Sequence, residues 1–99
     1  MKIIFDWDRN KARINTAKHR ISFEEARTIF LDRLTLTRRD EEHSDEEDRL
    51  ISIGLSSAGR LLMVVHTEIY EIPDILVVRI ISVRKATTAE HTRYEKQQE

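Results

Sequence analysis

The run VVRIISVRKATT, residues 77–88, constrains the fold of this chain more than any other stretch. Five of its first seven residues are aliphatic and mostly β-branched, the composition of a strand buried on both faces. Arg79 stands in its middle, Arg84 and Lys85 at its end, and a Thr-Thr helix start follows. A buried strand that delivers guanidinium groups to one edge of a sheet is one way to build a phosphate-handling site.

The rest of the chain supplies what such a strand needs. Residues 2–6 (KIIFD) read as a short first strand. Asp8 is an N-cap, and the stretch from Arg9 to His19, free of Gly and Pro, predicts a helix. Ile14, Ala17 and Ile21 form its thin apolar stripe, with Asp8, Lys11, Asn15 and Lys18 on another face. Ser22 and Glu25 make a capping box for a second helix, whose buried face is Phe23, Ala26, Ile29 and Phe30.

From Leu34 the period changes to two, predicting a strand that ends at Arg38 and Arg39. Residues 49–56 and 60–68 follow as a hairpin closed by Ser57, Ala58 and Gly59. Residues 69–74, holding the only proline, read as a longer connection to the opening strand. Thr87 with Glu90 forms a second capping box for a last helix to about residue 97. The expected order is βααββββα in one domain spanning 1–99, an α+β fold with a mainly antiparallel sheet, two N-terminal helices and one C-terminal helix. Strict alternation in the last strand puts Arg79 and Arg84 on opposite faces; only a bulge would reunite them.

Composition narrows the function classes. Without cysteine there is no disulfide, thiolate metal site or thiol nucleophile. No apolar run approaches a membrane span, and the start turns acidic too early for a secretory signal, so a soluble, cytoplasmic protein is expected. The net charge of −1 conceals an asymmetry: residues 40–48 (DEEHSDEED) hold seven acidic side chains. Without them the body has eleven acidic and seventeen basic groups, a formal charge of +6. That fits an anionic partner such as nucleic acid; a solvated acidic loop on an ordinary protein is the alternative.

His19, His43, His66 and His91 are scattered, with no metal-binding spacing, and Gly54 and Gly59 make no phosphate loop. No metal and no cofactor are expected. What remains is Arg60, His66, Arg79, Arg84, Lys85 and Tyr94 around the last strands and helix, with Lys18 and His19. Metal-free RNA cleavage needs a base for the 2′-hydroxyl, an acid for the leaving oxygen and cations for the phosphorane. His66 suits proton transfer, because imidazole titrates near neutrality, and arginines suit the phosphorane. Each residue has a second reading. His66 can be a hydrogen-bonded structural group, Arg79 a partner of Glu24 or Glu25, and Arg84 with Lys85 edge charges. Tyr94 either meets a base or packs, and Lys18 with His19 either contacts RNA or caps the first helix.

Taken together, these pieces resemble the BrnT toxins of bacterial type II toxin–antitoxin systems. The matching residues are Phe5-Asp-Trp-Asp8, Lys11, Asn15-x-x-Lys18-His19, Ser22-Phe-Glu-Glu-Ala26, Phe30-x-Asp32, and His43-Ser44 with Arg49. They continue as Ile53-Gly54-Leu-Ser56, Gly59-Arg-Leu-Leu62, Val65-His-Thr-Glu68, Arg79-Ile-Ile-Ser82, Arg84-Lys-Ala-Thr87 and Tyr94-Glu95. The resemblance implies a RelE-like ribonuclease fold, cleavage of RNA without metal, and growth arrest. It also implies neutralisation by a BrnA-like ribbon-helix-helix antitoxin, contact with operator DNA only through that antitoxin, and a toxin dimer within a heterotetramer. It makes Arg60 and Arg79 the strongest candidates for RNA contact or catalysis, with His66, Arg84 and Lys85 next. With the residue reading above, the catalytic candidates are Arg60, His66 and Arg79, and those for RNA binding are Lys18, His19, Arg84, Lys85 and Tyr94. The alternative is a catalytically degenerate homologue acting as a protein-binding co-repressor. Arg20 replaces the glycine usual after Lys-His, the connection at 69–77 looks longer than usual, and the last helix is less basic.

Overall fold

Six consecutive buried residues, Leu61 through His66, mark the centre of the sheet. In the computed structural model, which describes residues 1–43 and 48–97, the strands are β1 (Lys2–Asp6), β2 (Leu36–Arg39), β3 (Leu50–Leu55), β4 (Leu61–Glu71) and β5 (Ile75–Lys85). The helices are α1 (Arg9–His19), α2 (Phe23–Arg27), which runs on into a 3-10 turn (Thr28–Leu31), and α3 (Thr88–Lys96). The element order is the expected one. The strands lie in the spatial order β1-β5-β4-β3-β2, so the most apolar strand, β4, is central, and β5 sits between it and β1.

Three of the four pairings are antiparallel, but β1 runs parallel to β5, so the sheet is mixed. Two strands far apart in sequence, with helices between them, have no hairpin to force them antiparallel. The long connection expected at 69–74 is also corrected. The β4–β5 ribbon stays paired out to Glu71 and Ile75, leaving only a tight turn.

Each face of the sheet carries its own core. One face packs under α1, α2 and the 3-10 turn, where Ile21, Phe23, Ala26 and Ile29 meet Leu62, Val64, Val78, Ile80 and Val83. The other face, with Ile51, Ile53, Leu61, Met63 and Val65, closes on Tyr94 of α3. Gly54 is required on the first: a Cβ there would stand 2.2 Å from the Thr35 hydroxyl and 3.0 Å from Ile29.

A β-bulge interrupts the β4–β5 ladder. Val65 faces Ser82, yet His66 faces Ile80, which leaves Ile81 as the extra residue. The buried series Leu76, Val78, Ile80 therefore resumes at Val83 rather than Ser82. In consequence Arg79 and Arg84 share the α3 face of the sheet, about 15 Å apart along the strand.

Helix α1 is held differently from expectation. Asp8 caps it as predicted, accepting from the amides of Asn10 and Lys11 at 2.8 and 3.0 Å. Ile14, however, is more than half exposed, and the buried residue is Asn15. Below the point where β1 ends, the outer edge of β5 has no strand partner among the described residues. Asn15 fills that place: its amide nitrogen donates to the Val83 carbonyl at 2.9 Å, and its oxygen accepts from the Val83 amide at 3.2 Å.

The helix ends at Arg20 with φ 60° and ψ 31°, the left-handed cap that glycine adopts without cost, and its amide reaches the Thr16 carbonyl at 2.8 Å. A side chain in this region costs about 1 kcal/mol. The Arg20→Gly variant is therefore expected to gain about 0.5 to 1 kcal/mol, read as a higher urea midpoint. An unchanged or lower midpoint would contradict this reading of the cap.

Candidate functional site

The eight residues singled out by sequence fall in four places. Arg60 precedes β4, at the sheet end where α1 finishes. Its Nε donates to Glu25 Oε2 at 3.0 Å, and Nη2 reaches both Glu25 Oε1 and, at 3.5 Å, the Arg20 carbonyl. Ser56 Oγ donates to the same carboxylate at 2.7 Å, and these bonds hold Glu25 below the ordinary carboxylate range. The guanidinium's Nη1 makes no hydrogen bond to a described residue, and the side chain as a whole is 34% exposed. Lys18 and His19 form the last turn of α1, beside Arg20. Lys85 sits opposite Leu62, and the Ala86 amide bonds the Leu61 carbonyl. Arg60, Lys18, His19 and Lys85 thus gather at one end of the sheet.

Arg79 is elsewhere. It lies opposite Thr67 on β4 and Asp6 on β1, and its Nη1 pairs with the Asp6 carboxylate rather than with Glu24 or Glu25. Thr67 stands seven positions along the chain from Arg60, a span of roughly 20 Å. One phosphorane cannot be gripped by both arginines in this conformation.

Arg84 and Tyr94 belong to the attachment of α3. Arg84 forks onto Glu90 at 2.8 and 3.1 Å, and Glu90 also completes the capping box with Thr87. The Tyr94 hydroxyl donates to Asp32 at 2.6 Å. Burial and that neighbouring carboxylate push Tyr94 up to about 12. Asp32 also accepts from the amides of Leu34 and Leu55, so this bond ties α3 to the 3-10 turn and the end of β3. The Tyr94 ring is buried and presents no stacking platform.

His66 is the clearest correction to the sequence reading. It lies on the face of β4 beneath α2 and the 3-10 turn. The imidazole has no exposed surface and meets the edge of Phe30, ring centres 4.9 Å apart. Its Nε2 is 2.7 Å from Ser52 Oγ, which is 2.7 Å from Thr37 Oγ1. Among the described residues Nδ1 has no hydrogen-bond partner; Glu68 Oε1 stands 3.8 Å away. Burial lowers the His66 pKa to about 4, so the ring is neutral at physiological pH and cannot reach a substrate.

A pH dependence follows. The unfolded chain takes up a proton on His66 near pH 6.5 and the native chain only near 4, so stability is full above 6.5 and falls between those values. Burial raises the Glu68 carboxyl, which acts in the opposite sense over part of that range. Stability at pH 5 is expected to be about 1 to 2 kcal/mol below that at pH 7, and His66→Gln should remove most of the difference. Urea melts at the two pH values check this; equal slopes of stability with pH in the two proteins would contradict it.

Among the described residues no group of three or more His, Asp or Glu side chains could hold a metal ion, and no helix is long and apolar enough to cross a membrane. The family model described as the ribonuclease toxin BrnT of type II toxin–antitoxin systems matches residues 7–90. The chain belongs to the BrnT family. It is also similar to the crystal structure of the Brucella abortus ribonuclease toxin BrnT, at 21% identity and a TM-score of 0.61, covering 89% of this chain and 100% of that one. That likeness shows a shared fold. No curated protein matches the chain.

Within the BrnT-like frame, sequence reasoning missed Asn15 as the group that docks α1 on the sheet. The available signal was its place mid-helix, where Asn is a poor helix former. Arg38, Arg93 and Lys96 were also passed over, since nothing in the linear pattern brings β2 beside α3.

Proposed function

We propose that this BrnT family member is a metal-independent endoribonuclease toxin, acting in the cytoplasm to cut RNA and arrest growth. Its neutraliser would be a BrnA-like ribbon-helix-helix antitoxin, through which alone the complex meets operator DNA. The observation that carries this reading is the family match across residues 7–90. The cationic sheet end around Arg60 supplies the chemistry.

In that chemistry the 2′-oxygen attacks the adjacent phosphorus while a base removes its proton. The bond from phosphorus to the 5′-oxygen breaks, and an acid protonates the departing oxygen. The products are a 2′,3′-cyclic phosphate and a 5′-hydroxyl. The Nη1 edge of Arg60 offers the phosphorane a fixed cation, with Lys18 and Lys85 to hold flanking phosphates. His19, partly exposed beside Arg20, replaces the buried His66 as the candidate proton carrier. Arg79, on the other end of the sheet, would contact RNA further along the strand.

A second reading has its own support. Arg60, Arg79 and Arg84 each hold a carboxylate, of Glu25, Asp6 and Glu90, as structural ion pairs would. On that reading the chain is a degenerate toxin that binds its antitoxin and represses transcription. Induced expression without the neighbouring gene separates the two. A toxin stops growth and depletes intact mRNA; a degenerate homologue leaves both unchanged while keeping operator repression with its partner.

A further inference from the structure

We infer that the cleft between β2, β3 and the C-terminal half of α3 is a docking site for an acidic, amphipathic segment of a partner protein. The cleft, about 420 Å³, has a floor of Leu36, Ile51 and Ile53 and a rim of Arg38, Arg93 and Lys96. These three cations hold no carboxylate among the described residues; Arg38 donates only to the Arg39 carbonyl, at 3.4 Å. They stand in contrast to Arg60, Arg79 and Arg84, which are all paired.

An adjoining hollow of about 380 Å³ continues from Arg38 and Ile51 over Met63, Val65 and Arg84, and its wall is the acidic turn Asp40, Glu41 and Glu42. The two hollows share Arg38 and Ile51, so the aliphatic floor runs on past the rim cations. Charge alone would suit RNA equally, but the floor decides against it. Single-stranded RNA is gripped by stacking on aromatic rings. The one aromatic ring packed in this face, Tyr94, is buried and tied to Asp32. Aliphatic side chains on one face of a helix, with carboxylates flanking them, match an aliphatic floor and a cationic rim. The inference deepens the proposed function, because a neutralised toxin needs such a partner, and it stands or falls separately from RNA cleavage.

The test titrates the ¹⁵N-labelled full chain with three probes: a synthetic helical peptide of leucines at helical spacing with glutamates between, a scrambled peptide of the same composition, and a 2′-O-methyl adenine decamer. The helical peptide is expected to shift the amides of Leu36, Ile51, Ile53 and Arg93, and Arg38→Glu with Arg93→Glu should weaken it about tenfold or more. Both positions are exposed, and Arg38→Gln with Arg93→Gln, which adds no carboxylate beside the acidic turn or the end of α3, should also weaken binding while thermal melts stay close to the parent. Equal binding of the scrambled peptide, shifts elsewhere or none would overturn the proposal. Shifts of these residues by the decamer alone would overturn it too, and mark the cleft as a nucleic-acid surface. A non-toxic chain that binds the helical peptide here would sink the ribonuclease reading and leave the docking site standing.

Discussion

Replacing Arg60 with alanine is expected to lower RNA cleavage by about 100-fold, the usual effect of removing one fixed group that stabilises a transition-state anion. Arg60 also has a structural duty, so the variant must be read against stability. Its fork onto the largely buried Glu25 links the β3–β4 turn to α2, and losing it should cost about 1 to 2 kcal/mol. Glu25→Gln separates the two roles. It breaks the same ion pair, so stability falls comparably, yet it leaves the guanidinium in place and cleavage persists. Arg60→Lys keeps a charge without the fork and should recover only part of the rate. If Arg60→Ala cleaves RNA at the parental rate, the sheet end around Arg60 is not the active centre. Circular dichroism melts beside a quenched-fluorescence RNA assay supply both readouts.

Asn15→Ala is expected to give the largest loss of stability, about 2 to 4 kcal/mol. The substitution strips partners from the Val83 amide and carbonyl at once, on a buried part of β5 with no neighbouring strand to compensate. For a domain of this size that corresponds to a fall of roughly 10 to 25 °C in Tm. Asn15→Asp keeps the acceptor for the Val83 amide but sets a carboxylate against the Val83 carbonyl, so it should not rescue. A loss below about 0.5 kcal/mol for Asn15→Ala would show that solvent replaces the side chain and that α1 is held by its apolar contacts alone.

What was legible in the sequence was local. The Thr87–Glu90 capping box formed in full, because both of its bonds lie within one helical turn. Ser22 capped α2 as read, although the Glu25 side chain turned away to Arg60, a residue 35 positions distant that the local pattern does not show. Phe23, Ala26 and Ile29 lie in the core as their spacing predicts. What was hidden depended on register and on partners remote in sequence. The bulge at Ile81 is a property of two strands together, so alternation within β5 alone placed Arg79 and Arg84 on opposite faces. His66 looked like a proton carrier because imidazole ordinarily titrates near neutrality. Phe30 above it and Ser52 beside it reverse that reading. The candidate site was legible as a list of cations and not as a place: only Arg60, Lys18, His19 and Lys85 come to a common end of the sheet.

The central claim, RNA cleavage by this chain without a metal ion, is tested most directly by incubating the purified toxin, freed of its partner, with single-stranded RNA in excess chelator. Fragments ending in 2′,3′-cyclic phosphate and beginning with a 5′-hydroxyl are expected, formed at the same rate with and without chelator. RNA left intact, or cut only after a divalent metal is added, would contradict that claim.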